Sequence, residues 1–131
     1  MGAGTVLVVD DDPVIVGLLQ LNFEIEGYEV VTAPDGESGQ ALARERQPDV
    51  IVLDVMMPRV SGLEVARRLR ADPVTAYLPI LLLSAKAQKA DVEAGRAVAD
   101  DYVTKPFEPL ELLARVGRLF EVGRARRMRP K

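Results

Sequence analysis

Residues 49–58 read DVIVLDVMMP, an apolar run that carries Asp54 to its carboxyl end. Residues 50–53 show no polar alternation and are rich in β-branched side chains, which predicts a strand buried on both faces, as in parallel sheets. Pro58 then stops the run. In open α/β sheets, ligands bind beyond the carboxyl ends of the strands, so Asp54 is predicted to lie in the functional site.

The composition excludes several kinds of chemistry. The 131 residues are 48% hydrophobic, enough for one compact domain with a core, and they include no cysteine and no histidine. Disulfides, thiol catalysis and histidine acid-base catalysis are therefore excluded, and any metal ion must be bound by oxygen ligands. Because the sequence has neither an apolar stretch of about 20 residues nor the features of a signal peptide, we expect a cytoplasmic protein without membrane contact.

Charge is distributed unevenly along the chain. The net charge is −3, yet residues 1–117 hold 11 basic and 19 acidic side chains. The basic side chains of residues 118–131 are Arg118, Arg124, Arg126, Arg127, Arg129 and Lys131. We interpret residues 1–122 as one domain and residues 123–131 as a basic tail or the start of a linker, and we do not expect this domain to bind nucleic acid directly.

The chain begins with a strand and a helix. Residues 5–9 are uniformly apolar and predict the first strand, after which Asp12 suits the N-cap of a helix and Pro13 its first turn. Gly27 suits the position just after that helix. The apolar residues that recur at helical spacing and predict the helix are Val14, Leu18, Leu21 and Ile25.

The same alternation continues to the end of the chain. Strands are predicted at residues 28–33, 80–83 and 101–104, and helices are predicted to start at residues 35 and 61 and to span residues 86–97 and 110–122. Five strands that alternate with five helices predict an α/β fold, a doubly wound five-stranded parallel sheet with helices on both faces.

Polar residues stand at the carboxyl ends of four predicted strands. They are Asp10, Asp11 and Asp12 after the first strand, Asp54 on the third, Ser84 on the fourth and Lys105 on the fifth. Clustered carboxylates raise one another's pKa unless a cation is bound, and two or three carboxylates with a backbone carbonyl and waters suit Mg²⁺. Since Lys105 adds positive charge and Ser84 a hydroxyl, the site suits a phosphoryl group, which Asp54 can accept as an aspartyl phosphate.

These motifs resemble those of a two-component response-regulator receiver domain. The resemblance covers residues 5 to about 122 and rests on VVDDDP at 8–13, LDVMMP at 53–58, SG at 61–62, LSA at 83–85 and DDYVTKPF at 100–107. It implies a flavodoxin-like sheet of order 2-1-3-4-5. It also implies that a histidine kinase or phosphotransfer protein phosphorylates Asp54, and that the face formed by helix 4, strand 5 and helix 5 then changes.

The resemblance further implies roles for individual residues. The implied Mg²⁺ ligands are Asp11, Asp54 and the backbone carbonyl of Met56, with Asp10 in support. The implied phosphoryl contacts are Ser84 and Lys105, and the implied cis peptide bond joins Lys105 to Pro106. The implied switch residues are Ser84, drawn toward the phosphoryl group, and Tyr102, which moves inward behind it.

The sequence departs from the family pattern near helix 4. Val98 stands where a glycine is usual, and the interval from Ser84 to Lys105 is one residue shorter than usual, so we expect a rebuilt end of helix 4. The resemblance also raises the question of whether the chain forms a homodimer through helix 4, strand 5 and helix 5. The acids and the arginine for that dimer are present, but its basic residue on helix 4 is missing, so the dimer is left open. The matching residues are Asp100, Asp101, Glu111 and Arg115, and the missing base falls at Asp91 or Val92.

Other classes of function are weighed against the receiver. An aspartyl-phosphate hydrolase would also use Asp54 as nucleophile, but it needs an acid two residues later, where this chain has Met56. A flavodoxin-like flavin carrier needs a glycine- and hydroxyl-rich loop after strand 1, where this chain has three acids. A receiver that works as an unphosphorylated interaction module remains an alternative.

We expect a regulator rather than an enzyme, with at most self-phosphorylation from small phosphodonors and autodephosphorylation. We also expect a downstream effector or a fused output domain, which the sequence does not identify.

Overall fold

The architecture is a five-stranded sheet between two layers of helices. A computed structural model describes residues 4–127, and within them five strands alternate with five helices. All strand pairs are parallel and the order is β2-β1-β3-β4-β5, which confirms the predicted fold and strand order. The elements are β1 Thr5–Val9, α1 Pro13–Ile25, β2 Glu29–Ala33, α2 Gly36–Arg46, β3 Val50–Asp54, α3 Gly62–Ala71, β4 Ile80–Ser84, α4 Lys89–Arg96, β5 Asp101–Thr104 and α5 Pro109–Arg127. No helix of this described part combines the length and the apolar character needed to cross a membrane.

Strand β3 lies at the centre of the sheet and is buried at every position. Val50 and Val52 join the core cluster under α1 and α5, whereas Ile51 and Leu53 join the cluster under α2 and α3. Successive side chains of a strand point to opposite faces, and each fully buried aliphatic side chain contributes about 1.5–3 kcal/mol. Burial on both faces is therefore the reason that residues 50–53 lack polar alternation.

Local capping signals start and end helices where the sequence predicts. Asp12 caps α1 by accepting a hydrogen bond from the Val14 backbone N–H at 2.9 Å, and Pro13 occupies the first helical position. Ser61 caps α3 in the same way. Gly27, just beyond α1, has a φ of +93°, a left-handed conformation that glycine adopts without strain. Each signal acts within three residues along the chain, so the sequence alone reveals it.

The periodicity that predicts α1 does not mark its buried face. The residues that define the pattern are exposed by 39–75%, whereas Leu19 and Phe23 of the same helix are buried. These exposed residues are Val14, Leu18, Leu21 and Ile25. The helix is apolar on more than one side, so spacing identifies a helix without showing which side meets the sheet. An apolar strip is consequently left on the surface of α1.

Helix α4 is shorter than predicted. It starts at Lys89, so the predicted start at residue 86 is wrong. The Lys86 backbone is engaged in other bonds, because its N–H donates to Ser84 Oγ at 3.0 Å and its carbonyl accepts from the Tyr102 hydroxyl at 2.8 Å. After the helix, the carbonyl of Val98 accepts a hydrogen bond from Arg70 Nε at 3.0 Å. A long-range arginine contact thus supports the turn at Val98, where the resemblance implies a glycine.

Helix α5 is longer than predicted and continues to Arg127. Arg126 bonds to the carboxylate of Asp100 and, at 3.1 Å, to the carbonyl oxygen of Tyr77. Arg127 donates to Asp49 Oδ1 at 3.1 Å and lies 5.0 Å from the centre of the Tyr77 ring. Residues 123–127 of the basic segment are therefore helical. Arg129 and Lys131 lie outside the described residues.

Candidate functional site

The polar residues predicted at the strand ends meet at one edge of the sheet. Asp10 follows β1, Asp54 ends β3, Ser84 ends β4 and Lys105 follows β5. Lys105 Nζ lies 3.3 Å from Asp10 Oδ2 and 3.3 Å from Asp54 Oδ1. Asp10, Asp54 and Ser84 are buried, whereas Asp11 is exposed. The peptide bond between Lys105 and Pro106 is cis.

Three carboxylates at this edge could hold a metal ion. One oxygen from each of Asp10, Asp11 and Asp54 lies within 4.8 Å of the other two. These are the hard oxygen donors that Mg²⁺ prefers, and the exposed Asp11 leaves one side open for water. The Met56 backbone N–H donates a hydrogen bond to Asp54 Oδ1 at 3.3 Å. Lys105 is the one described cation that contacts the two buried carboxylates, so the residues present fit a further small cation.

The charges of Asp54 and Lys105 depend on each other. Burial, together with repulsion from Asp10, raises the pKa of Asp54 above its ordinary value, and Lys105 offsets only part of this effect. Burial also opposes the charge of Lys105, but attraction to Asp10 and Asp54 outweighs burial and raises the pKa of its ammonium group. Lys105 therefore holds a permanent positive charge at neutral pH beside a carboxylate that a second cation would help to keep ionised.

Ser84 and Tyr102 are connected through the backbone of Lys86. Ser84 Oγ accepts the Lys86 N–H, which leaves the hydroxyl hydrogen of Ser84 free to be donated to another group. The Lys86 carbonyl accepts the hydrogen bond of the Tyr102 hydroxyl. The Tyr102 side chain is already buried, with 6% of its surface exposed, although the resemblance implies that it moves inward only on phosphorylation.

A cavity of about 310 Å³ lies next to Tyr102, between α4, β5 and α5. Its lining includes Val92, Phe107 and Arg115. The neighbouring acids are paired within the chain, since Arg115 donates to Asp101 at 2.8 Å and to Glu111 at 2.8 Å. This face therefore combines a recess of mixed polar and apolar lining with a rim of charges that are paired within the chain.

Gly62 supports the site, a role that was not predicted from the sequence. A Cβ atom at Gly62 would lie 2.0 Å from the carbonyl oxygen of Asp54 and 2.9 Å from the Cα of Val55. Helix α3 thus begins against the backbone that carries Asp54, which is why this position requires glycine. The available signal was a glycine directly after the helix-capping Ser61, where a better helix former is expected.

Comparisons with known proteins agree with one another. The family described as response regulator receiver domain matches residues 6–117. The DNA-binding dual master transcriptional regulator RpaA of Synechocystis sp. is 50% identical over 112 residues, which are 85% of this chain and 46% of that protein. The alkaline phosphatase synthesis transcriptional regulatory protein PhoP of Bacillus subtilis is also 50% identical over 112 residues, again 85% of this chain and 46% of that protein.

A solved structure extends the likeness to three dimensions. The crystal structure of a response regulator from Chloroflexus aurantiacus is 38% identical, has a TM-score of 0.85 and covers 90% of this chain and 98% of that chain. The chain spans about half the length of the curated relatives it matches. The family match extends over most of the chain and coincides with the sheet that carries the acidic cluster. The chain therefore belongs to the family of response regulator receiver domains of two-component signal transduction.

Proposed function

We propose that the chain is a regulatory phosphoacceptor in which Asp54 receives a phosphoryl group from a phosphohistidine of a histidine kinase or phosphotransfer protein. A carboxylate oxygen of Asp54 attacks phosphorus, the bond between phosphorus and the imidazole nitrogen breaks, and the released imidazole keeps the electron pair and takes up a proton. The acyl phosphate formed on Asp54 is later hydrolysed by water. The observation that carries the proposal is the contact of 3.3 Å between Asp54 Oδ1 and Lys105 Nζ at the carboxyl end of β3.

The residues around Asp54 account for the charge that moves during transfer. Lys105 lies where its ammonium group can neutralise a phosphoryl oxygen, and the raised pKa of this group keeps it charged. Mg²⁺, when bound, supplies further neutralisation of the phosphoryl oxygens. Asp11, Asp54 and the Met56 carbonyl would hold it, with Asp10 in support. Ser84 would donate its free hydroxyl hydrogen to a phosphoryl oxygen.

Incubation of the chain with acetyl phosphate and Mg²⁺ tests this function. We expect the intact mass to rise by one phosphoryl group that hydroxylamine releases, and to rise much less after chelation of the metal. No incorporation would favour the alternative of a phosphorylation-independent interaction module. Repeated release of phosphate without accumulation on the chain would favour the alternative of an aspartyl-phosphate hydrolase.

Substitution of Asp11 tests the proposed metal site. Asp11→Ala should remove the Mg²⁺-dependent changes in the NMR spectrum and slow labelling by acetyl phosphate by roughly tenfold or more, since a ligand is lost. Asp12→Ala is the matched control, because the neighbouring carboxylate caps α1 and its loss costs about 1 kcal/mol of stability without touching the metal. Loss of the Mg²⁺ response in Asp12→Ala but not in Asp11→Ala would show that the ligands after β1 are assigned wrongly.

We further propose that phosphorylation changes the face formed by α4, β5 and α5. A phosphoryl group that attracts the Ser84 hydroxyl pulls on the Lys86 backbone, to which both Ser84 and Tyr102 are bonded. One charge-assisted hydrogen bond contributes about 1.5–3 kcal/mol, enough to change the populations of two close conformations strongly. Helix α4 suits the moving part, because Gly95 is its one buried residue.

Amide hydrogen exchange of residues 86–104 tests this change. Beryllofluoride, which mimics the phosphoryl group, should raise protection of this segment in the wild type. Ser84→Ala should still accept a phosphoryl group on Asp54 but lose most of the added protection, because the hydroxyl that would donate a hydrogen bond to the phosphoryl group is missing. Equal protection of both proteins with and without beryllofluoride would rule out signalling through this face.

We propose that the apolar strip of α1 docks the phosphohistidine protein. A groove of about 480 Å³ connects this helix to the site, since its lining includes Ile15, Leu18, Phe107 and Lys105. A donor must bring its phosphohistidine to Asp54, so a partner surface beside Lys105 has to be covered during transfer. The exposed Val14, Leu18 and Leu21 suit the apolar side of a partner helix.

Substitution on this strip separates docking from chemistry. Leu21→Glu should slow transfer from a panel of phosphorylated histidine kinases by roughly tenfold or more, because a charge replaces a buried apolar contact. Labelling by acetyl phosphate, which needs no docking, should change by less than about twofold. Glu45→Lys on the exposed side of α2 is the control and should leave both reactions unchanged. Equal slowing by both substitutions would remove α1 as the docking surface.

The output of the chain is proposed to be an effector that reads the α4-β5-α5 face, either fused to this domain or separate. The relatives RpaA and PhoP are described as transcriptional regulators and are about twice as long as this chain.

A homodimer through the same face is the second arrangement we propose. Such a dimer would have to exchange the pairs that Asp101 and Glu111 now make with Arg115 inside the chain.

A further inference from the structure

Gly95 of α4 leaves a notch that the ring of Tyr102 fills. A Cβ atom at Gly95 would lie 2.4 Å from Tyr102 Cδ2, 2.6 Å from Tyr102 Cε2 and 3.2 Å from Leu82 Cδ1. The first two distances are shorter than non-bonded carbon atoms allow, so a side chain at position 95 and the buried ring exclude each other. Glycine is also a poor helix former, which makes its presence inside an eight-residue helix a sign of a packing requirement.

The opposite end of Tyr102 is held by the loop after β4. Its hydroxyl donates to the Lys86 carbonyl at 2.8 Å, and the Lys86 N–H donates to Ser84 Oγ at 3.0 Å. The ring also borders the 310 Å³ cavity between α4, β5 and α5. A ring that leaves the notch therefore has open space to enter, and on leaving it loses its bond to Lys86.

We propose that Gly95 is a positioning residue that seats Tyr102 inside the protein whether or not Asp54 carries a phosphoryl group. A side chain at position 95 drives the ring into the cavity and separates the Lys86 backbone from the α4-β5-α5 face. In this chain, phosphorylation then strengthens an arrangement that packing has already formed. The link to Asp54 rests on the proposed function, whereas the notch itself does not.

A thermodynamic cycle tests the mutual exclusion of the side chain and the ring. In a Tyr102→Ala background, Gly95→Ala should raise the midpoint of thermal unfolding by about 2–5 °C, because alanine favours the helix and the remaining close neighbour, Leu82 Cδ1 at 3.2 Å, is the end of a flexible side chain that can move into the space left by the ring. With Tyr102 present, the same substitution should lower the midpoint. Gly17→Ala in α1 is the control, because its Cβ would meet nothing within 4 Å and should raise the midpoint in both backgrounds. An equal rise for Gly95→Ala in both backgrounds would overturn the proposal.

The position of the ring is measured by ¹⁹F NMR of the full chain containing 3-fluorotyrosine. The chain has three tyrosines, and Tyr102→Phe identifies the resonance of Tyr102. In the wild type this resonance should be shielded from a soluble paramagnetic quencher both with and without beryllofluoride, and in Gly95→Ala it should be quenched in both states. Shielding of the wild type only after beryllofluoride, or an unchanged resonance in Gly95→Ala, would overturn the proposal.

The two proposals fail in different ways. If acetyl phosphate does not label the wild type, the proposed function fails, while the cycle and the quenching without beryllofluoride still decide the role of Gly95. If the wild type is labelled but Gly95→Ala keeps a shielded ring and only exchanges its α4 amides faster, the helix has moved instead of the ring. That result would leave the phosphoacceptor function standing and remove Gly95 as the residue that positions Tyr102.

Discussion

Asp54→Asn is expected to reduce phosphate incorporation from acetyl phosphate to less than about one hundredth of the wild-type rate. The amide has nearly the shape of the carboxylate but is not a nucleophile, and it cannot form an acyl phosphate. The cost of burying the Asp54 charge and its repulsion by Asp10, which both raise the pKa of Asp54, would disappear because the amide is neutral. The variant should therefore remain folded, and thermal unfolding separates loss of the nucleophile from loss of structure.

A matched substitution controls for the change of charge. Asp12→Asn replaces a carboxylate two residues from Asp10, and asparagine caps a helix about as well as aspartate, so α1 should be unaffected. This variant should be labelled at the wild-type stoichiometry. Labelling of Asp54→Asn at the same stoichiometry would mean that another residue accepts the phosphoryl group, and mass spectrometry of the labelled peptides would identify it.

Gly62→Ala is expected to destabilise the fold by about 2–4 kcal/mol and to impair the site at the same time. The added Cβ would lie 2.0 Å from the Asp54 carbonyl oxygen, and a backbone atom cannot move aside as a flexible side chain can. Either α3 shifts or the end of β3 shifts. Since the Gly62 N–H also donates to the Val55 carbonyl at 3.0 Å, a shift of β3 carries Asp54 away from Lys105.

Denaturant unfolding and labelling by acetyl phosphate, measured on the same preparation, test this expectation. Gly117→Ala in α5 is the control, because its Cβ would meet only the Tyr28 hydroxyl at 3.9 Å, an ordinary contact. That substitution should stabilise the helix by up to about 1 kcal/mol and leave the labelling rate unchanged. Wild-type stability and labelling in Gly62→Ala would show that the start of α3 does not restrain Asp54.

The elements and the candidate site residues were predictable because their signals are short in range. The apolar, β-branched composition of residues 50–53 predicts a strand buried on both faces. Asp12 followed by Pro13 predicts the start of a helix. Parallel strands then bring Asp54 and Lys105 together at one edge without any knowledge of side-chain packing. The distance of 3.3 Å between them was not contained in the order of the elements along the chain, because β4 lies between β3 and β5 and the strand order came from the family resemblance.

Four features depended on contacts between different elements of the fold. The apolar residues of α1 do not reveal that Leu19 is buried and Leu21 exposed, because the choice is made by the sheet beneath the helix. The extension of α5 to Arg127 depends on acids at positions 49 and 100, and the start of α4 depends on the hydroxyl of Tyr102. The place of that ring depends in turn on Gly95. The sequence states which residue stands at each position. The free energy gained by burying or pairing that residue also depends on its contact partner, so the position of the partner in space decides these features.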